Sequence, residues 1–214
     1  MQVSIPAEII KALLITAPKS DVRFYLNGVL LEVREEHATL IATDGHMLLA
    51  VPLPSDAIEG ERIVGDYIIP RTLLDSVKPA KIGRTVRPLV LEISAGVGVQ
   101  GQSVFSLTLK GATHGIDKPV DGRFPDWRRV IPAKASGEAV QFDARLISRF
   151  GDVYDALGGS KKFCAPIIHY NGTDAALVSN LGHNALGVIM PLREKTPAHP
   201  GVPAWAKQPQ TPSP

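Results

Sequence analysis

The sequence predicts an α+β protein built from three βαβββ units, with helices on one face and antiparallel sheets on the other. One layout occurs three times: a short apolar strand, a helix start, then hydrophobic runs. Residues 2–5 lead into PAEIIKALL, residues 66–69 into PRTLLDSV and residues 139–142 into DARLISRF. The interval of roughly 65 to 75 residues is one at which internal repeats report modular architecture. A quasi-symmetric scaffold of this kind suits a curved sheet or a ring better than a single catalytic constellation.

The first unit covers residues 1–62. Pro6 suits a first helical turn, Glu8 complements the positive helix end, and Ile9, Ile10, Leu13 and Leu14 share one stripe of a helix over 6–17. The runs VRFYLNGVLLEV, HATLIAT and HMLLAVPL follow as strands, with turn chemistry at Asn27-Gly28 and Asp44-Gly45. The second unit, 63–132, repeats the plan: a helix over 70–78 opened by Pro70, then PLVLEIS, GVGVQ and SVFSLTLK as strands. Residues 111–124 read as loop, and Pro125 and Pro132 bracket an extended connector, FPDWRRVIP. The third unit, within 133–193, carries a helix over 143–157 with Leu146, Phe150, Val153 and Leu157 on one face, followed by APIIHY, DAALVSN and ALGVIMPL as strands. Residues 194–214 are rich in Pro, Ala, Gln, Thr and Ser and predict a disordered tail.

Composition narrows the function classes. Lys and Arg total 23 against 21 Asp and Glu, so nucleic-acid binding would need a local basic surface. Cys164 is the single cysteine, which rules out an intrachain disulfide or a multi-cysteine zinc site; it reads as a small buried hydrophobe. The N-terminus MQVSIPAEII lacks the basic and apolar regions of a signal peptide, and no apolar run could span a bilayer. A cytoplasmic protein without membrane contact is expected.

Three segments together carry a resemblance. RFYLNGVLLEV at 23–33 with ATDGHMLLA at 42–50, DGRFPDWRRVIP at 121–132, and GVIMPLR at 187–193 resemble the bacterial DNA polymerase III beta subunit, the sliding clamp. Residues 1–132 are similar to the clamp's complete middle domain, with halves 1–62 and 63–132, and 133–193 to half of its C-terminal domain. The resemblance implies a DNA-clamp-like fold, no catalytic residues and no cofactor. It also implies a processivity factor that encircles double-stranded DNA without sequence preference and tethers polymerases and the clamp loader through short linear peptide motifs. Familiar clamps close rings of twelve half-domain units; a homo-oligomer of four such chains, most simply head to tail, would supply that number. The alternative is a non-encircling interaction module that captures replication proteins or modulates a full-length clamp.

The site residues implied by the matching motifs form a peptide cleft. Its walls would be Arg23 and Leu26; Thr43, Gly45, His46 and Leu48; Pro125, Arg129 and Val130; and, from the third unit, Leu146, Val178, Val188, Ile189, Met190, Pro191 and Leu192. Aliphatic groups and Met190 make an adaptable floor, while His46 and the arginines can bond a peptide backbone or amide. Met47, Leu146, Gly187 and Trp127 depart from the family's commonest residues. For phosphates, the helices offer Lys11, Arg71, Lys78, Arg145 and Arg149, cations that bind a backbone without reading bases. The plain alternative for these five is solvated helix surface.

Rival chemistries find little support. Asp44-Gly45-His46 could pass for an acid–base pair or metal ligands, but neighbouring residues diverge in direction and no second cluster has ligand spacing. GVGVQGQ at 96–102 lacks the Gly-Lys-Ser/Thr ending and following helix of a phosphate loop. No metal site is expected.

Overall fold

The computed structural model describes residues 1–99, 102–160, 162–193, 201 and 203–206. In chain order the elements are β1 (Gln2–Ile5), α1 (Ala7–Thr16), β2 (Gly28–Val33), β3 (Ala38–Thr43), β4 (Met47–Pro52), β5 (Ile58–Glu59), β6 (Gly65–Pro70) and α2 (Arg71–Ser76). They continue with β7 (Lys81–Ile82), β8 (Thr85–Val86), β9 (Leu89–Val97), β10 (Ser103–Lys110), β11 (His114–Asp117), α3 (Ala144–Ala156), β12 (Ile167–His169), β13 (Ala176–Ser179) and β14 (Leu186–Ile189). Prolines 6 and 70 sit at the N-caps of α1 and α2, where a missing N–H costs nothing. Asp143 caps α3 by accepting the Arg145 amide at 2.9 Å.

The strands form a seven-stranded sheet, β12-β13-β14-β4-β3-β2-β6, a five-stranded sheet, β11-β10-β9-β1-β5, and the small hairpin β7-β8. The first two units exchange their opening strands: β1 joins β9, and β6 joins β2, both antiparallel. The third unit continues the first unit's sheet by pairing β14 with β4. Gly28 permits the β2–β6 approach, since a Cβ there would lie 2.4 Å from the Ile69 carbonyl oxygen, so its role is close packing rather than a turn.

The main core lies where both sheets meet the helices, joining Val3, Ile9, Leu13, Leu31, Leu49, Ile69, Leu91, Phe150, Val153 and Ile189. A second cluster covers the opposite face of the seven-stranded sheet. There Leu26, Leu30, Ile41, Leu48, Ile68, Phe124 and Val188 are packed beneath Val120, Trp127, Val130 and Ile131. This double cover explains why β2 and β3 are buried along their whole length instead of alternating.

Several local expectations change. Residues 96–99 of the expected GVGVQ strand form no strand of their own, residue 100 lying outside the described residues: β9 runs on to Val97, which opposes Ser103, and Gly98 donates to the Gln102 carbonyl at 2.8 Å. The third strand of the second unit is instead β11, inside the stretch read as loop. Residues 139–142 are not a strand, because both strands that accept an opening strand within this chain, β2 and β9, are already taken by β6 and β1. Cys164 is exposed rather than buried. The tail 194–214 lies outside the described residues apart from 201 and 203–206, where Trp205 is exposed. Among the described residues, no helix is long and apolar enough to cross a membrane.

Candidate functional site

A cavity of about 190 Å³ opens where the first unit, the connector and β14 meet. Each wall has a local cause. The β3–β4 turn is closed by the Asp44 carboxylate, whose Oδ1 accepts the amides of His46 at 2.8 Å and Met47 at 2.9 Å. Thr43 Oγ1 donates to the Met47 carbonyl and accepts from Gly45 N, which adopts a positive φ of 88°. Arg23 spans the rim: its Nη2 donates to the Asp44 carbonyl at 3.0 Å and to Asp21 Oδ2 at 2.7 Å. The Arg23 hydrogen bonds hold the Asp21 carboxyl down to about 2.

The third unit enters through Met190, whose amide donates to the His46 carbonyl at 2.9 Å. The connector wall is anchored from below. Arg128 grips Glu32 on β2 with both guanidinium Nη atoms, and Arg34 Nη2 reaches the same carboxylate at 2.9 Å. Glu32 is buried, yet the Arg128 bonds hold its pKa below the ordinary carboxylate value against the opposing effect of desolvation. The Arg128 guanidinium also lies 4.2 Å from the Trp127 ring centroid, so one arginine fixes both connector and indole. The Trp127 Nε1 is buried and no partner among the described residues meets hydrogen-bond geometry, although the indole N–H adds to the lowering of the Glu32 pKa.

Ten of the sequence-predicted cleft residues line this cavity: Arg23, Leu26, Thr43, Gly45, His46, Leu48, Pro125, Val130, Val188 and Met190. Arg129 lies in an adjoining groove of about 500 Å³ that shares Val130 and Met190. Val178 and Ile189 belong to the main core on the other side of the sheet, and Leu146 packs against that core. The reason is the two-residue period of a strand: Val188 faces the cleft, so Ile189 faces away. Pro191 and Leu192 lie beyond β14 and outside the lining, with Leu192 N donating to the Gln141 carbonyl. Met47, Asp126 and Trp127 line the cavity in addition. Their signal was available, since Met47 sits within ATDGHMLLA and Asp126 and Trp127 within DGRFPDWRRVIP, two of the motifs that supplied the rest.

The helix cations divide. Lys11 on α1 and Arg145 on α3 are exposed, as is Lys78, which lies past the end of α2 at Ser76 and not on the helix expected over 70–78. Arg71 is committed: its Nη1 donates to the carbonyls of Leu14 at 2.8 Å and Ala17 at 2.7 Å, and its Nε pairs with Asp75. Arg149 is likewise committed to Asp44 and to the carbonyls of Ile15 and Thr16. These two therefore act as internal ties between helices and turns. Among the described residues, no group of three or more His, Cys, Asp or Glu could hold a metal. The Cys164 thiol is pushed up by desolvation and by the nearby Asp155 and Asp152 carboxylates, the reverse of an activated nucleophile.

A profile of the DNA polymerase III beta subunit central domain matches residues 2–126, and the chain belongs to that family. It is 34% identical over 113 residues to the beta sliding clamp of Salmonella typhimurium, covering 52% of this chain and 27% of that protein. Identity to the Escherichia coli K12 beta sliding clamp is 33% over 126 residues, covering 58% and 31%. The matched region thus spans under a third of these relatives. Among solved structures, the Caulobacter crescentus pol III beta aligns with a TM-score of 0.63 at 19% identity, covering 90% of this chain and 66% of that one. The Helicobacter pylori beta clamp bound to a DNA ligase peptide aligns at 0.64 and 12% identity, covering 89% and 65%. These likenesses carry the fold over most of the chain, well past the central-domain match. The family is named for a subunit of DNA polymerase III, and these curated relatives for a sliding clamp.

Proposed function

We propose that this chain is a shortened sliding clamp that tethers replication or repair proteins to duplex DNA by docking their linear motifs in the cleft. The observation that carries the reading is the convergence of three separate segments, the β3–β4 turn, the connector and the end of β14, on one small apolar cavity. The H. pylori relative was solved with a DNA ligase peptide, which supports a peptide as the occupant. In this reading residues 1–132 act as one clamp domain with halves 1–62 and 63–132, residues 133–193 as a half-domain, and 194–214 as a tail. The setting is the cytoplasm. Chains associate around DNA, and Lys11, Lys78 and Arg145 supply sequence-independent phosphate contacts.

The test is a titration with a peptide bearing a polymerase-type clamp-binding motif, expected to bind at roughly micromolar strength, about −8 kcal/mol. Met190→Glu is the variant of choice, because Met190 is only partly buried whereas Leu48 is embedded in the underlying core. Loss of binding with an unchanged melting temperature supports the site. Equal binding by parent and variant rules it out.

A second reading is favoured by the commitment of Arg71 and Arg149 to internal carbonyls, which thins the cationic helix face. It is the non-encircling module, with the same cleft but no hold on DNA. Retention on circular but not linear DNA separates the two.

A further inference from the structure

The opening strands of the first two units each join the other unit's sheet, never the sheet of their own three following strands. The residues four and two positions before each helix point into the core: Val3 and Ile5 before α1, Tyr67 and Ile69 before α2. Val140 and Phe142 occupy the same two positions before α3 and also turn inward, Val140 packed on the core and Phe142 8% exposed. Yet their segment has no sheet. It folds back on its own unit through three backbone bonds, Gly137 N to Tyr170 O, Gly172 N to Glu138 O and Leu192 N to Gln141 O, and Phe142 leans on the Tyr170 ring.

The complementary gap is β12. This strand ends the seven-stranded sheet at the position that β6 covers on β2, and among the described residues no strand pairs with its outer side. Ile167 there is 52% exposed. Bare strand edges with apolar side chains recruit another strand.

We propose that a second copy of this chain covers β12 by reciprocal strand exchange, residues 139–142 of each copy pairing antiparallel with β12 of the other. The occupant follows from the count of acceptors: β2 and β9 are filled by β6 and β1, so among the described residues the only edge left for an opening strand of the 139–142 type is a β12, and its own is the sheet that these strands avoid. Val3 opposes Leu91 and Tyr67 opposes Leu31, each facing the core. The same register sets Val140 of the partner subunit against Ile168, which packs on the core, and Gln141 of the partner subunit against Ile167. The contact is isologous and makes one complete clamp domain out of two half-domains. It rests on the self-association in the proposed function, and it makes this interface two-fold where a head-to-tail arrangement was expected.

The test uses Gln141→Cys and Ile167→Cys, both at exposed positions, each in a Cys164→Ser chain, co-expressed and treated with a short bismaleimide. The expected result is a covalent mixed dimer that is lost when either variant is expressed alone or when Glu36→Cys replaces Gln141→Cys. Light scattering on the untreated protein separates the failures. An oligomer without the mixed cross-link overturns the exchange and leaves self-association standing, whereas a monomer at high micromolar concentration overturns both.

Discussion

Arg149 on α3 donates to the carboxylate of Asp44, 105 positions earlier in the chain, while the other oxygen of that carboxylate holds the β3–β4 turn in shape. The same guanidinium reaches the carbonyls of Ile15 and Thr16 at the end of α1. One side chain thus fastens the third unit to the helix and to the cleft turn of the first.

Replacing Arg149 with Met should therefore destabilise the fold by about 1–3 kcal/mol, the usual cost of leaving a partly buried charged partner unsatisfied. Urea unfolding measures it. Asp44→Asn in the same background should cost much less than it does alone, because the two residues share one interaction.

Glu32 gives a pH dependence. Its folded pKa is depressed by Arg128, so its contribution is fully present above the ordinary carboxylate value and is lost as the pH falls through the lower folded value. Glu32→Gln should flatten the loss of stability in acid, as followed by thermal unfolding across that range. It should also weaken peptide binding at neutral pH, since Arg128 no longer steadies Trp127.

Gly187 is a packing position. A Cβ there would stand 2.5 Å from Phe150 Cε1 and 2.9 Å from Val178 Cβ, so Gly187→Ala overpacks the contact between α3 and β14. A cost of about 1–3 kcal/mol is expected in chemical denaturation, with the cleft wall at Val188 displaced.

The cationic helix face separates into two classes by experiment. Lys11→Glu with Arg145→Glu should lower DNA affinity and reduce the salt slope, which counts released counterions. Arg71→Ala should leave the slope unchanged while lowering the melting temperature, because its guanidinium is spent on Leu14 and Ala17. Fluorescence anisotropy over a salt series distinguishes them.

Helix starts were legible because Pro6, Pro70 and Asp143 punctuate the chain before apolar stripes, and most of the cleft was legible because its walls fall inside contiguous motifs. Which face of a strand a residue takes was harder to read. The seven-stranded sheet is covered on both sides, so Val188 and Ile189 are equally apolar and no polar alternation tells cleft from core. β11 escaped notice for the opposite reason: HGID at a sheet edge has too little apolar content to announce a strand. The commitments of Arg71 and Arg149 depend on carbonyls remote in sequence and have no local signal.

The pairing of β14 with β4 joins residues 186–189 to residues 47–50. During synthesis the β3–β4 turn, the connector and the helices all leave the ribosome before β14 does, and chains fold largely in that order. Among the described elements, the cavity is then the last to be completed. A nascent chain halted short of residue 186 would carry a folded first domain with an open-sided cleft, so under the proposed function competence to capture a client arrives only with β14.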